Sequence, residues 1–137
     1  MQKNEIVYIV REDILVPQVQ GFNSFVYNNA IEGLQKVKSN PLIVVIDLGL
    51  TRVTGIDCLK MIRSNPFNYH IKTIVCMKKY NYNLIKKSFN YGADFYMKIP
   101  FDVSELESII VDISKYRNIF MIDNNENIAL QNHKFKV

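Results

Sequence analysis

The sequence predicts an α/β fold, a doubly wound parallel sheet with helices between its strands. Short apolar runs end abruptly in charged residues. They lack the alternation of a half-solvated sheet, so they read as strands buried on both faces. Segments of helical periodicity fill the gaps between them.

Glu5-Ile6-Val7-Tyr8-Ile9-Val10 is the first strand, and it runs into Arg11-Glu12-Asp13. About ten residues, Ile14 to Asn23, lead to the second, Phe25-Val26-Tyr27. Pro17 lies among them, and a proline inside a helix costs about 3 kcal/mol. A short or irregular first helix is expected. Its sheet face would be left partly bare and would need cover from the C-terminal tail or a partner subunit. Ile31, Leu34 and Val37 then share one helical face. Leu42-Ile43-Val44-Val45-Ile46-Asp47 is the third strand, five apolar residues and an acid. Ile56, Leu59 and Ile62 make the next helical face. Thr73-Ile74-Val75-Cys76-Met77 is the fourth strand, ending in Lys78-Lys79. Leu84, Ile85, Ser88 and Phe89 form a third face, which Gly92 stops. Phe95-Tyr96-Met97 is a weaker fifth strand. Val103, Leu106, Ile109, Ile110 and Ile113 give the clearest helix, with Asp102 and Ser104 as candidate N-caps.

Residues 1–117 are expected to form one domain, with residues 118–137 as a C-terminal extension. Ile119-Phe120-Met121-Ile122 and Ile128-Ala129-Leu130 flank a turn-like stretch, so the extension reads as a hairpin, a swapped arm or a disordered tail.

Of the 137 residues, 48% are hydrophobic, enough for a core, and charges of both signs are interspersed. No apolar run approaches the roughly 20 residues a membrane span needs. Met1-Gln2-Lys3-Asn4-Glu5 has no signal-peptide pattern, and a cytoplasmic protein is expected. The net charge of +4 is too small to argue for nucleic-acid binding, and none is expected. Cys58 and Cys76 sit in no metal-binding or redox spacing and read as reduced, buried thiols. There is no glycine-rich phosphate loop among the five glycines.

Ligands of open parallel sheets bind beyond the carboxyl ends of the strands. Those ends carry Glu12-Asp13, Asp47, Lys78-Lys79 and Lys98. Carboxylates from neighbouring strands can cage a hard cation such as Mg²⁺, and a lysine can neutralise a phosphoryl group. Acids and lysines also end strands merely because strand ends meet solvent. The residues alone leave both readings open.

Spacing adds a resemblance. Asp47-Leu48-Gly49-Leu50-Thr51-Arg52-Val53-Thr54-Gly55 resembles the signature of bacterial response-regulator receiver domains (the CheY-like superfamily). In that signature an acceptor aspartate ends the third strand and a glycine follows eight residues later. Gly92-Ala93-Asp94-Phe95-Tyr96-Met97-Lys98-Ile99-Pro100-Phe101-Asp102 resembles the family's Gly-Ala, fifth strand and Lys-Pro-Phe. Asn29-Ala30-Ile31-Glu32-Gly33-Leu34 resembles the segment after the second strand. The resemblance covers about residues 5 to 116. It implies a flavodoxin-like, five-stranded sheet of order 2-1-3-4-5. It also implies two-component signal transduction rather than an enzyme.

The resemblance makes Asp47 the candidate phospho-acceptor, Lys98 the candidate phosphate-contacting lysine, and Glu12, Asp13 and Asp47 a candidate Mg²⁺ site. Tyr96 matches the family's aromatic switch position. With Tyr82, Tyr91, Lys86 and Lys87 it marks a candidate partner face. The implied partner is a histidine kinase or an output protein, and a homodimer is allowed. No direct nucleic-acid or membrane partner is expected.

Several positions depart from the pattern. Arg11 stands where an acid is usual, and it would either repel a divalent cation or pair with Asp47 in its place. Lys98 precedes Ile99-Pro100 and so sits one residue early, which in a strand turns a side chain to the other face. Met77 replaces the usual hydroxyl residue, and Thr51 a usual proline. The pattern is that of an atypical receiver, or pseudo-receiver, working through protein–protein contact. The alternatives are a conventional receiver phosphorylated at Asp47 with Mg²⁺, and a small flavodoxin-like nucleotide-binding or enzymatic domain.

Overall fold

The computed structural model describes residues 2–122, with side chains through Ile113. Five strands form one sheet: β1 (Lys3–Ile9), β2 (Asn23–Tyr27), β3 (Pro41–Asp47), β4 (Lys72–Met77) and β5 (Phe95–Lys98). Every neighbouring pair is parallel, and the order is β2-β1-β3-β4-β5. The helices are α1 (Ala30–Val37), α2 (Gly55–Ser64), α3 (Tyr82–Asn90) and α4 (Val103–Ile122), with a 3₁₀ turn at Pro66–Asn68. This is the predicted flavodoxin-like arrangement.

The continuous apolar runs are buried as expected. All seven residues of β3 are inaccessible to solvent or nearly so. Val7, Ile9, Val44, Ile46 and Val75 form one sheet face, covered by Ile56, Leu59 and Ile62 of α2, Ile85 of α3, and Ala30 and Val37 of α1. The face of α1 matches the expected one at Leu34 and Val37 but not at Ile31. Ile31 is 75% exposed, and Ala30, Gly33 and Val37 face inward. A Cβ on Gly33 would lie 2.5 Å from the Ile9 side chain, so the helix sits too close for a larger residue there. Phe89 and Val103 are likewise more exposed than the periodicity predicts.

The helix starts follow local chemistry. Asn29 caps α1 by accepting from the Glu32 N–H at 2.9 Å. Thr54 and Asp57 form a reciprocal capping box on α2. Arg63, near the end of α2, donates to the carbonyls of Asn68, Ile71 and Gly92 and to the Asp94 carboxylate. Asp94 also accepts from the Thr73 N–H, which ties the approach to β5 onto β4.

The first crossover contains no helix, in keeping with Pro17. The irregular segment nevertheless buries Ile14 and Val19. The Tyr8 hydroxyl donates to the Pro17 carbonyl at 3.3 Å, and burial pushes that phenol up to about 12. Ile6, Tyr8, Ile43 and Val45 are fully buried, so the expected bare face is not bare along β1 and β3. Val26, on the edge strand, remains exposed.

Residues up to Val103 form one compact unit, and a second begins at Ser104. Leu106, Ile110 and Ile113 of α4 are buried, as the periodicity predicts. The helix continues through Ile119–Ile122, a run that the hairpin alternative for the extension had made a strand. The rest of the expected extension lies outside the described residues. Among the described residues, no helix is long and apolar enough to cross a membrane. Both cysteines are free and buried. Burial pushes the Cys58 thiol up to about 11, and burial together with Asp47 raises that of Cys76.

If the irregular segment is part of the core, Ile14→Ala should cost about 2 kcal/mol in urea unfolding. Leu15→Ala, at a position 89% exposed, should stay within about 0.5 kcal/mol of the parent.

Candidate functional site

Asp47 ends β3 at the carboxyl edge of the sheet, and its side chain is 0% exposed. A carboxylate with no water around it must be compensated by donors or a cation. Arg11, two residues beyond β1, supplies both. Its Nε donates to Asp47 Oδ2 at 2.7 Å and its Nη2 to Oδ1 at 3.2 Å. The Arg11 backbone N–H adds a bond to Oδ2 at 3.0 Å, and the Gly49 N–H donates to Oδ1 at 2.7 Å. Each oxygen accepts two bonds, about the full capacity of a carboxylate. The Asp47 hydrogen bond raises the Arg11 pKa above its ordinary value, so the guanidinium stays charged.

Two glycines make this geometry fit. A Cβ on Gly49 would lie 2.4 Å from Arg11 Cζ and Nη2, so only glycine leaves room for the guanidinium. A Cβ on Gly55 would lie 2.6 Å from the Asp47 carbonyl oxygen, where α2 starts against the end of β3. That contact gives the eight-residue spacing a physical reason.

A second ion pair spans the same edge. Lys78, just beyond β4, holds the Asp13 carboxylate and keeps it below the usual range. Glu12 is exposed. The three residues expected to hold Mg²⁺ are thus dispersed: Asp47 is saturated by Arg11 and Gly49, Asp13 is on Lys78, and Glu12 faces solvent. Among the described residues, no group of three acids, histidines or cysteines could hold a metal. As arranged, this donor set does not fit Mg²⁺.

Lys98 is not brought to the site. It ends β5 exposed between buried Met97 and Ile99, the alternation that a one-residue shift produces. The cation that reaches Asp47 is Arg11. Met77 lies buried at the end of β4, next to Cys76, which is in register with Asp47. Tyr96 is half-buried, its ring 6.3 Å from that of Tyr80. Tyr82, Lys86, Lys87 and Tyr91 are exposed on α3 and just after it. Lys60 Nζ stands 4.5 Å from the centre of the Tyr91 ring. The sequence reading missed Gly49. Its signal was a glycine two residues after a buried acid, with an arginine on the adjacent strand end.

No protein-family model matches the chain. Over 75 residues it is 35% identical to the response regulator ArlR of Staphylococcus saprophyticus, covering 54% of this chain and 33% of that protein. The match therefore spans a third of the relative's length. The response regulator receiver domain protein (CheY-like) of Methanospirillum hungatei JF-1 superposes with a TM-score of 0.68 at 21% identity, over 82% of this chain and 94% of that one. The Mn²⁺-bound form of response regulator Rcp1 superposes with a TM-score of 0.62 at 14% identity, over 81% and 91% of the two chains. At such identities the likeness is one of fold.

Arg11→Ala should destabilise the protein by about 3 kcal/mol, because it strands a buried carboxylate. Arg11→Lys should recover only part of that, since an ammonium cannot make the two-pronged contact. Gly49→Ala should cost about 1–3 kcal/mol by displacing the guanidinium. In an Arg11→Ala background the same Gly49→Ala change should cost little. Additive losses in that double-mutant cycle would show that Gly49 acts independently of Arg11.

Proposed function

We propose that this chain, a response-regulator receiver domain by its fold and its matched segment, works in two-component signalling through protein–protein contact, with Arg11 as a tethered cation on Asp47. The observation that carries this reading is the four-bond enclosure of the Asp47 carboxylate. A nucleophilic oxygen must present a free lone pair to phosphorus. Here each oxygen is committed twice, and releasing one charge-assisted bond costs about 1.5–3 kcal/mol. A divalent cation approaching the same oxygens meets the guanidinium charge first. The reading is non-enzymatic.

The proposed contact surface is α3 with β5, which together with the turn after α3 carry Tyr82, Lys86, Lys87, Tyr91 and Tyr96. Tyrosines with basic neighbours suit a transient interface. The class of partner is a histidine kinase or an output protein.

Incubation with acetyl phosphate and Mg²⁺ should leave the intact mass unchanged. Asp47→Asn keeps an oxygen for the Gly49 N–H but turns its N–H₂ toward the Arg11 Nε–H and backbone N–H, so it should lose stability while the folded protein retains most partner binding. Lys86→Glu combined with Lys87→Glu should lower the association rate and its salt dependence. Stoichiometric labelling that disappears in Asp47→Asn would establish a conventional receiver and end this reading.

A further inference from the structure

A cleft lined in part by Arg11 is a second feature of this edge of the sheet. It has a volume of about 600 Å³ and opens where the loops after β1, β2 and β3 meet. The chain leaves β1 for β2 on one side and reaches β3 on the other, so this is the crevice where doubly wound sheets place ligands. Its lining joins two kinds of surface. Arg52 supplies a cation, Arg11 supplies the remaining donors of a guanidinium whose charge Asp47 matches, and Ile31, Leu50 and Val53 supply an apolar wall.

Both arginines have capacity to spare. Arg11 uses Nε and Nη2 on Asp47, its side chain is 35% exposed, and among the described residues Nη1 has no partner. Arg52 forms no ion pair among the described residues. Its backbone is in the left-handed region at φ 66°, which is costly for a non-glycine residue. The neighbouring Asn28 is exposed, and among the described residues its amide N–H₂ makes no hydrogen bond. Ile31 is the residue that α1 turns outward, so its exposure supplies apolar surface at this cleft. Glu12 lines the cleft as well, so a bare anion would meet an acid together with the two arginines. A molecule carrying a hydrogen-bond donor as well as an acid head would satisfy all of these groups.

We propose that this cleft binds a small organic acid: a phosphate or carboxylate head on Arg11 and Arg52, an apolar body against Ile31, Leu50 and Val53, and a donor group on Glu12. The inference needs only the cleft and its two arginines, and it stands apart from the signalling reading.

The test titrates the full chain with three probes: adenosine monophosphate, 4-hydroxybenzoate and inorganic phosphate. Side-chain NMR signals of Arg11 and Arg52 are followed throughout. One of the two organic probes should saturate with a Kd below about 1 mM and bind at least about tenfold more tightly than inorganic phosphate. The tighter of the two identifies the acid head. Arg52→Asn removes the charge, and asparagine tolerates the left-handed backbone, so the melting temperature should hold while affinity falls about tenfold. Three results would overturn the proposal: no saturable shift of these arginines with either organic probe, inorganic phosphate binding as tightly, or unchanged affinity in Arg52→Asn.

Discussion

A carboxylate with no solvent access sits at the end of the central strand, and the carboxyl edge of the sheet is arranged around it. Asp47 cannot remain charged there without donors from outside its own strand. The nearest supply is the chain leaving β1, and Arg11 brings both a guanidinium and a backbone N–H. Once the guanidinium lies across the β3–α2 loop, residue 49 can carry no Cβ. The start of α2 then presses on the Asp47 carbonyl, and residue 55 is held to glycine as well. The buried acid thus accounts for Arg11 and Gly49 and ties the ends of β1 and β3 together, while Gly55 answers to the backbone of Asp47 and Leu48 whatever side chain residue 47 carries.

Much of the fold was legible because a two-face-buried strand has a strong signature. The apolar runs leave little choice, and their ends in Asp47 and Lys78 mark the carboxyl edge of the sheet. The faces of the helices were less legible. On α1, Ile31-Leu34-Val37 and Ala30-Gly33-Val37 fit the same period; Leu34 and Val37 do pack on the core, but Ile31 does not, and Ala30 and Gly33 take the inward side instead. Close approach to Ile9 decided it, and that is a tertiary fact. Ile119–Ile122 shows the same limit. A short β-branched apolar run is compatible with strand or helix, and here the backbone continues α4. The first crossover was readable in the negative: Pro17 argued against a helix. That its irregular chain would still bury Ile14 and Val19 required the structure.

At the site, Asp47 was legible from its position and from Gly55. The fate of Arg11 was left between repelling a cation and replacing one. Sequence could not choose, because the choice depends on whether residue 49 leaves room. The placement of Asp13 was opaque for a similar reason. Its partner Lys78 is 65 residues away and becomes a neighbour only through the strand order.

The departures from the receiver pattern share a single physical logic under the proposed reading. A phosphoryl group on Asp47 would need a metal, a hydroxyl and a lysine to hold its charge. The positions concerned carry Arg11, Met77 and Ile99, and the latter two are buried apolar side chains. Each change alone would handicap a phosphorylated site. Together they suit a site whose negative charge is fixed at the single charge of the carboxylate. Arg11 neutralises that charge without drawing on a diffusible cation. With the anion permanently matched, a hydroxyl or lysine aimed at it would be a buried polar group without a partner. Apolar residues at those two positions then become the lower-energy choice.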